Sequence, residues 1–343
     1  MLLPCILVFF VCSGLFLYVS YELSLLPIIY IIIKWGSYPE RSLRALILLV
    51  YTRIFSLPLI VRLFMIYSFT SSFYFSLVFT SSHSLLLSLI IFLAFCVKLP
   101  IYGLHHWLPI AHVEAPTFGS IILAGVLLKL GGIGLIRFSS FLDFTLLKFI
   151  LVSYFLFFLV FSSLICCFQS DFKRLIAYSS VAHIIAVPIS LLSFTHLRIK
   201  TATYLILFHG LSSPILFSLV GLTYLFRASR QLTLIRGLVL VAPFLSFVLI
   251  ISFLFTLSAP PYVSFFSEVL FFILSYGLTS YSLPFLLLFA LLCLVYNLNW
   301  LSRFLFSSTS SFSSSFTLFY SFVIPIFMCH LMSFFFLFTS SVL

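Results

Sequence analysis

Long apolar runs, separated by short clusters of charged, Ser, Gly and Pro residues, recur along the whole chain. A helix that crosses a bilayer needs about 20 mostly apolar residues, and the runs are of that size. They predict spans near residues 1–33 (a helix remnant followed by one full span), 44–67, 85–109, 113–137 and 146–169, then 173–195, 201–226, 237–279, 284–304 and 316–341. Strand alternation is absent, and the runs exceed the roughly ten residues of a membrane barrel strand. Because every backbone polar group in lipid must be bonded internally, the pattern predicts an all-α polytopic transmembrane helix bundle of about ten spans.

Two of the runs are broken. The run 85–109 contains Lys98-Leu99-Pro100 and Trp107-Leu108-Pro109, and the run 237–279 contains Ala259-Pro260-Pro261-Tyr262. Proline lacks an amide donor and clashes with the preceding turn. Interrupted helices at membrane depth are tolerated where they line a wet or protein-lined cavity, and a pair of them, one in each half of a chain, points to an ion path. Lys34 to Arg41 reads as an exposed turn, and the serine-rich stretch 306–315 as a loop.

Composition narrows the class. Of 343 residues, 64% are hydrophobic and 7% charged, against about 25% charged in soluble domains. A water-soluble enzyme carrying its own cofactor domain is excluded. The net charge of +11 comes mostly from bases at the ends of apolar runs, such as Lys34, Arg41 and Arg44, or Arg227, Arg230 and Arg236. These read as orienting loop charges; without a basic, aromatic-interleaved polar surface, nucleic acid is not an expected partner. Met1 to Ile33 lacks a basic start and holds Glu22, so it reads as a retained membrane segment. The seven cysteines (5, 12, 96, 166, 167, 293 and 329) show no ligand spacing and read as small apolar helix residues. No metal site is expected at His105-His106, which has no carboxylate at ligand spacing. Gly131-Gly132-Ile133-Gly134 lacks the strand and acid of a dinucleotide site and reads as close helix packing.

Few charges remain inside the apolar runs: Glu22, Lys98 at the first break, Lys129 within Leu127-Leu128-Lys129-Leu130, and Glu268 just after the second break. An ionisable group at a helix centre costs about 2.5–3.5 kcal/mol on insertion scales, so it pairs or faces water. Each alone fits a structural ion pair or a snorkelling side chain. Four groups of both signs, two beside breaks, favour a proton or ion relay. A lysine poised between desolvation and a nearby carboxylate can load and release a proton as its partner's charge changes. His105, His106 and His112, placed between the first break and the next helix, together with His183 and His209, could serve as intermediates, although a single helical histidine is more often a hydrogen-bonded packing residue. His83, His196 and His330 are assigned no role.

The segment from Lys98 (Lys-Leu-Pro-Ile-Tyr-Gly-Leu-His-His-Trp-Leu-Pro-Ile-Ala-His-Val-Glu-Ala-Pro) through Leu127-Leu128-Lys129-Leu130-Gly131-Gly132 to Arg137 closely resembles the NADH dehydrogenase subunit 4 family. Its members are antiporter-like membrane subunits of respiratory complex I. Asp171 to Ser180, His209-Gly210-Leu211, Tyr21-Glu22-Leu23-Ser24-Leu25 and Trp35-Gly36 match further family motifs, and Glu268 stands where the paralogous subunits 2 and 5 typically carry lysine.

The resemblance implies a single membrane domain of two inverted five-helix repeats, about 1–137 and 146–304, with a terminal helix at about 316–341. It implies that Glu22 and Lys98 are the paired acid and base of a first half-channel. Lys129 would be the central lysine and Glu268 the terminal acid of the second half-channel. His112, Lys173, His183 and His209 would be relay intermediates. It further implies that this chain binds no cofactor, with NADH, FMN, iron–sulfur clusters and ubiquinone in other subunits. Expected partners are the other membrane subunits, especially 2 and 5, and lipid such as cardiolipin, in the mitochondrial inner membrane. Family members usually carry about 100 residues, enough for three to four spans, before the Tyr-Glu-Leu motif; here 20 precede it, so those helices are expected to be lost or supplied by a separate chain. Arg53 and Arg62 stand where the family is mainly apolar, and Arg53 has two candidate partners, a carboxylate or a lipid phosphate. Ile110 replaces a residue usually charged.

The expected function is a proton-translocating membrane-arm subunit of NADH:ubiquinone oxidoreductase, with remote redox chemistry coupled to this chain's Glu/Lys/His axis. Two other readings share the motifs: a subunit of a stand-alone multisubunit cation/proton antiporter, and a structural, non-pumping relic. The retained set of four costly charges argues against the relic.

Overall fold

The computed structural model describes residues 2–36, 38–71, 73–74, 85–101, 103–139, 144, 147–193, 197–227, 229–232, 235, 237–260, 262–306 and 326. Among them the ordered elements are helices: α1 (Leu2–Phe10), α2 (Gly14–Leu23), α3 (Leu25–Trp35), α4 (Arg41–Thr70), α5 (Leu85–Lys98), α6 (Trp107–Glu114), α7 (Thr117–Ile122), a π-turn (Leu123–Leu127) and α8 (Leu128–Phe138). There follow α9 (Lys148–Cys167), α10 (Phe172–Leu191), α11 (Leu197–Arg227), α12 (Leu238–Val241), α13 (Pro243–Thr256), α14 (Val263–Leu278) and α15 (Ser282–Phe306). His83, His196, His330, Arg236 and, apart from Ile326, the expected span 316–341 lie outside the described residues, as does the serine-rich stretch beyond Phe306.

Among the described residues, seven stretches are long and apolar enough to cross a membrane: Gly14–Trp35, Arg41–Ser68, Thr117–Phe138, Lys148–Cys167, Phe172–Leu191, Leu197–Leu225 and Ser282–Leu305. The shorter α5, α13 and α14 flank the two breaks, as the prolines predict. The first break runs from Leu99 to His106, and the second from Leu257 to Tyr262. One boundary moves. The expected edges at 109 and 113 are replaced by 114 and 117, because Pro109 sits in the first turn of α6, where its missing amide has no intrahelical acceptor to lose. Pro116 ends the segment instead, and His112 thereby belongs to α6 rather than to a connection.

The bundle is apolar on its outside. On α4, Leu43, Leu46, Val50, Ile54, Leu57 and Val61 are exposed at three- and four-residue steps, which makes one apolar helical stripe on the outside of the bundle. The opposite arrangement holds for α10, whose span is 89% buried and which packs between α9 and α11. Many serine hydroxyls inside the helices return to carbonyls three residues earlier, as Ser162 to Leu159 (3.0 Å) and Ser190 to Val187 (2.7 Å), so these satisfy themselves without a partner helix. The expected close packing at the glycines is present. A Cβ on Gly131 would lie 3.1 Å from the Leu99 amide and 3.2 Å from Lys98 Cβ, and one on Gly134 would run into the Phe95 ring. These glycines bring α8 directly against α5 and the first break.

Candidate functional site

The four charges and their histidines are held on α2, α5, the π-turn with α8, α10, α11 and α14. Glu22, at the end of α2, is buried. Its Oε2 lies 3.2 Å from Arg53 Nη1 on α4, which settles the open question of Arg53 in favour of a carboxylate. Lys98, at the last position of α5, does not pair directly with Glu22. Its Nζ donates to the Tyr21 carbonyl (2.7 Å) and sits 2.9 Å from the centroid of the Tyr21 ring, a desolvated cation–π contact. Tyr21 is itself pinned by its hydroxyl to the Ala94 carbonyl at 3.2 Å. Lys98 remains within electrostatic reach of both Glu22 and Arg53. The direct Glu22–Lys98 pair expected from sequence is thus replaced by a cluster of one acid, two bases and the Tyr21 ring.

Lys129 follows the π-turn, in which the Leu128 amide bonds the Leu123 carbonyl five residues back. Single π-turns occur mostly at functional sites. Here the turn leaves the Ala124 carbonyl accepting from Lys129 Nζ (2.9 Å). The same Nζ is hydrogen bonded to Nδ1 of His209 on α11. Gly210 lets the lysine arm pass, since a Cβ there would lie 3.1 Å from Lys129 Cε, and Gly125 in the π-turn faces the Pro214 ring, 3.0 Å from where its own Cβ would be. A cavity of about 670 Å³ opens beside Lys129, lined mainly by apolar side chains including Val126, Ile133, Tyr204 and Val263.

Beyond His209 the axis continues. His183 on α10 places Nδ1 3.3 Å from Glu268 Oε1 on α14, joining α10 to the helix after the second break. His209 is within electrostatic reach of Lys129, His183 and His112. His112 is fully buried, stacked on Phe217 with centroids 4.5 Å apart, and within reach of both Lys173 and Lys129. Lys173, also buried, donates to the Ala115 carbonyl at the end of α6. Lys173, His112, Lys129, His209, His183 and Glu268 thus form one series of titratable groups, buried at its first four members and partly buried at His183 and Glu268. Among the described residues no cluster of three or more His, Cys, Asp or Glu could hold a metal ion.

Sequence reading gave Glu114 no role. It sits at the end of α6, buried completely, with Oε1 2.7 Å from Arg44 Nη1. Arg44 in turn contacts the exposed Glu40 at 2.9 Å. A cleft of about 240 Å³ opens at Arg44, lined also by Pro109, Val113, Gln169, Arg174 and Tyr178 among others. The signal available in the sequence was the apolar flank of Glu114 (Ala-His-Val-Glu-Ala-Pro), which fits a buried acid as well as it fits a helix end.

Residues 13–296 match the family described as NADH:quinone oxidoreductase/Mrp antiporter, TM. Among curated relatives, NADH-ubiquinone oxidoreductase chain 4 of Albinaria caerulea is 40% identical over 268 residues, 76% of this chain and 61% of the relative. The chain 4 protein of Ceratitis capitata is 37% identical over 323 residues, covering 93% and 68% respectively. The chain thus spans about three fifths to two thirds of the length of these two relatives. Respiratory complex I from Thermus thermophilus with bound NADH contains a chain of the same fold (TM-score 0.84, 22% identity, 94% of this chain and 72% of that one). A chain of the archaeal membrane-bound sulfane sulfur reductase also shares it (TM-score 0.85, 18% identity, 98% and 72%). The motifs around Lys98, Lys129 and Asp171, the twice-broken helical bundle and these matches agree: the chain belongs to the NADH:quinone oxidoreductase/Mrp antiporter transmembrane family, alongside the NADH-ubiquinone oxidoreductase chain 4 proteins.

Proposed function

We propose that the protein is a proton-translocating membrane-arm subunit of NADH:ubiquinone oxidoreductase in the mitochondrial inner membrane. The observation that carries the reading is the Lys129 ammonium, held between the Ala124 carbonyl and His209 Nδ1, with the His183–Glu268 contact beyond it. A proton on Lys129 Nζ can pass along its hydrogen bond to His209, leaving an amine and an imidazolium. Imidazole both accepts and donates, so the proton can move on towards His183 and the Glu268 carboxylate. Lys173 and His112 extend the same series on the other side of Lys129.

The trigger in this reading is electrostatic. The Lys98 stem sits against Gly131 of α8, two residues along from Lys129, while its Nζ turns to Tyr21. Unit charges about 10 Å apart at an effective dielectric of about 20 interact by roughly 1.7 kcal/mol, more than tenfold in a proton equilibrium. A change of proton occupancy in the Glu22–Arg53–Lys98 cluster therefore alters whether Lys129 keeps or releases its proton. The two inverted repeats, about 1–137 and 146–304, meet at this lysine. NADH, FMN, iron–sulfur clusters and ubiquinone belong to other subunits, and the neighbours are the paralogous subunits 2 and 5 and lipid such as cardiolipin.

The test is Lys129→Met in the assembled complex. Proton translocation through this subunit is expected to stop while assembly persists. Normal pumping by an assembled variant complex overturns the reading. Co-purification of the chain with NADH-oxidising activity separates it from a stand-alone antiporter subunit.

A further inference from the structure

Glu114 is the one acid of the described chain with no exposed surface, and a clamp between helices does not by itself explain its surroundings. Its Oε1 contacts Arg44, neither of its oxygens is in an aligned hydrogen bond, and Arg44 leads outward to Glu40, which is two-thirds exposed. On the inner side, Lys173 donates to the carbonyl of Ala115, the residue after Glu114, and lies within electrostatic reach of the Glu114 carboxylate. The cleft lined by Arg44, Pro109, Gln169, Arg174 and Tyr178 is polar enough and large enough to hold several waters, each needing about 30 Å³ and two or more polar partners. A buried ion pair with poor alignment recovers little of its desolvation cost, so the contact with Arg44 does not by itself account for an acid at this place.

Resting on the pumping reading above, we propose that Glu114 is a proton-carrying carboxylate. It forms, with Arg44 as its gate and the cleft beside α6 as its water-facing mouth, an entry branch that delivers protons to Lys173 and so to the central axis. In the transfer, a proton from cleft water bonds to a Glu114 oxygen and the ionic contact with Arg44 is lost, Arg44 staying a cation. The new O–H then gives its proton to a neutral Lys173 amine, regenerating the carboxylate, which Arg44 recaptures, and leaving Lys173 as an ammonium. One proton moves, and charge is conserved at each step.

Two measurements on the assembled complex test this. The first uses the unaltered protein: dicyclohexylcarbodiimide, which reacts with protonated carboxyls in apolar sites, is applied during turnover, and labelled peptides are identified by mass spectrometry. Labelling at Glu114 is expected; an acid kept ionised as a fixed clamp does not react, and no label there overturns the proposal. The second compares Glu114→Gln and Glu114→Asp. Gln, which keeps the shape but carries no proton, is expected to lower the proton-to-electron ratio with assembly and electron transfer retained. Asp is expected to restore most of it. An assembled Glu114→Gln complex with the unaltered ratio overturns the proposal, and if that variant does not assemble the labelling decides. Lys129→Met run in parallel keeps the two claims apart: if it too pumps normally, the pumping reading itself fails, whereas loss there with no change at Glu114 removes only the entry branch.

Discussion

Arg53 and Glu22 are in contact although one stands on α4, whose outer stripe is apolar, and the other ends a buried turn of α2. The arginine is 39% exposed and the acid 6%, so the pair falls between the ~1 kcal/mol of an exposed ion pair and the ~3–5 kcal/mol lost on breaking a buried one. Arg53→Met is expected to destabilise the chain by an amount inside that interval, since it leaves Glu22 without its ionic contact. Glu22→Gln added to Arg53→Met is expected to recover most of the loss, and thermal unfolding of the purified complex measures it; independent, additive effects of the two changes would contradict the pairing. Glu22, Lys98, Lys129 and Glu268 stood out in the sequence because charge is scarce and costly in apolar helices. Their partners did not. Arg53 is 31 residues from Glu22, and His209 80 from Lys129, and no local pattern announces which of several basic or imidazole side chains will face a given acid or amine.

The helices were legible where the rule behind them is local. Apolar run length located the spans, and proline located both breaks. What escaped was the π-turn at Leu123–Leu127. Its five residues, Leu-Ala-Gly-Val-Leu, are ordinary helix formers apart from Gly125, and the turn is imposed by packing against Pro214 on α11 rather than by propensity. Gly125→Val is predicted to cost about 1–3 kcal/mol by overpacking and to push α11, and His209 with it, away from Lys129. Differential scanning of the complex should show the loss of stability, and the proton-to-electron ratio should fall with it. A stable, fully pumping variant would mean that the π-turn does not set the lysine's geometry. The boundary at Pro109 carries the same lesson on a smaller scale: proline in a first turn fits a helix, and Pro58, Pro188 and Pro214 lie inside the unbroken α4, α10 and α11, so a proline in the sequence marks a candidate break and no more.

At the level of the whole chain, the buried polar groups form a series through a bundle whose outer surface is apolar. If Lys129 and Glu268 are successive stations of that series, the double variant Lys129→Met with Glu268→Gln should pump no less than the poorer of the two single variants, because a path already cut loses nothing from a second cut. Proton-to-electron ratios of the three assembled complexes decide it, and a double variant clearly worse than both singles would indicate two parallel routes.

Sequence alone determined the solvent of this protein, its all-helical class and the rough limits of many of its helices, because bilayer thickness and the requirement for internal backbone bonding act along the chain, residue by residue. It also identified the motif and the scarce charges that mark the axis. Only the tertiary structure decided who faces whom: Arg53 rather than Lys98 on Glu22, the Tyr21 ring under Lys98, His209 against Lys129, and Arg44 on the buried Glu114. Electrostatic energy depends on distance in space, and distances between helices far apart in sequence are set by close packing, here of the glycines and prolines that let α5, α8 and α11 approach one another.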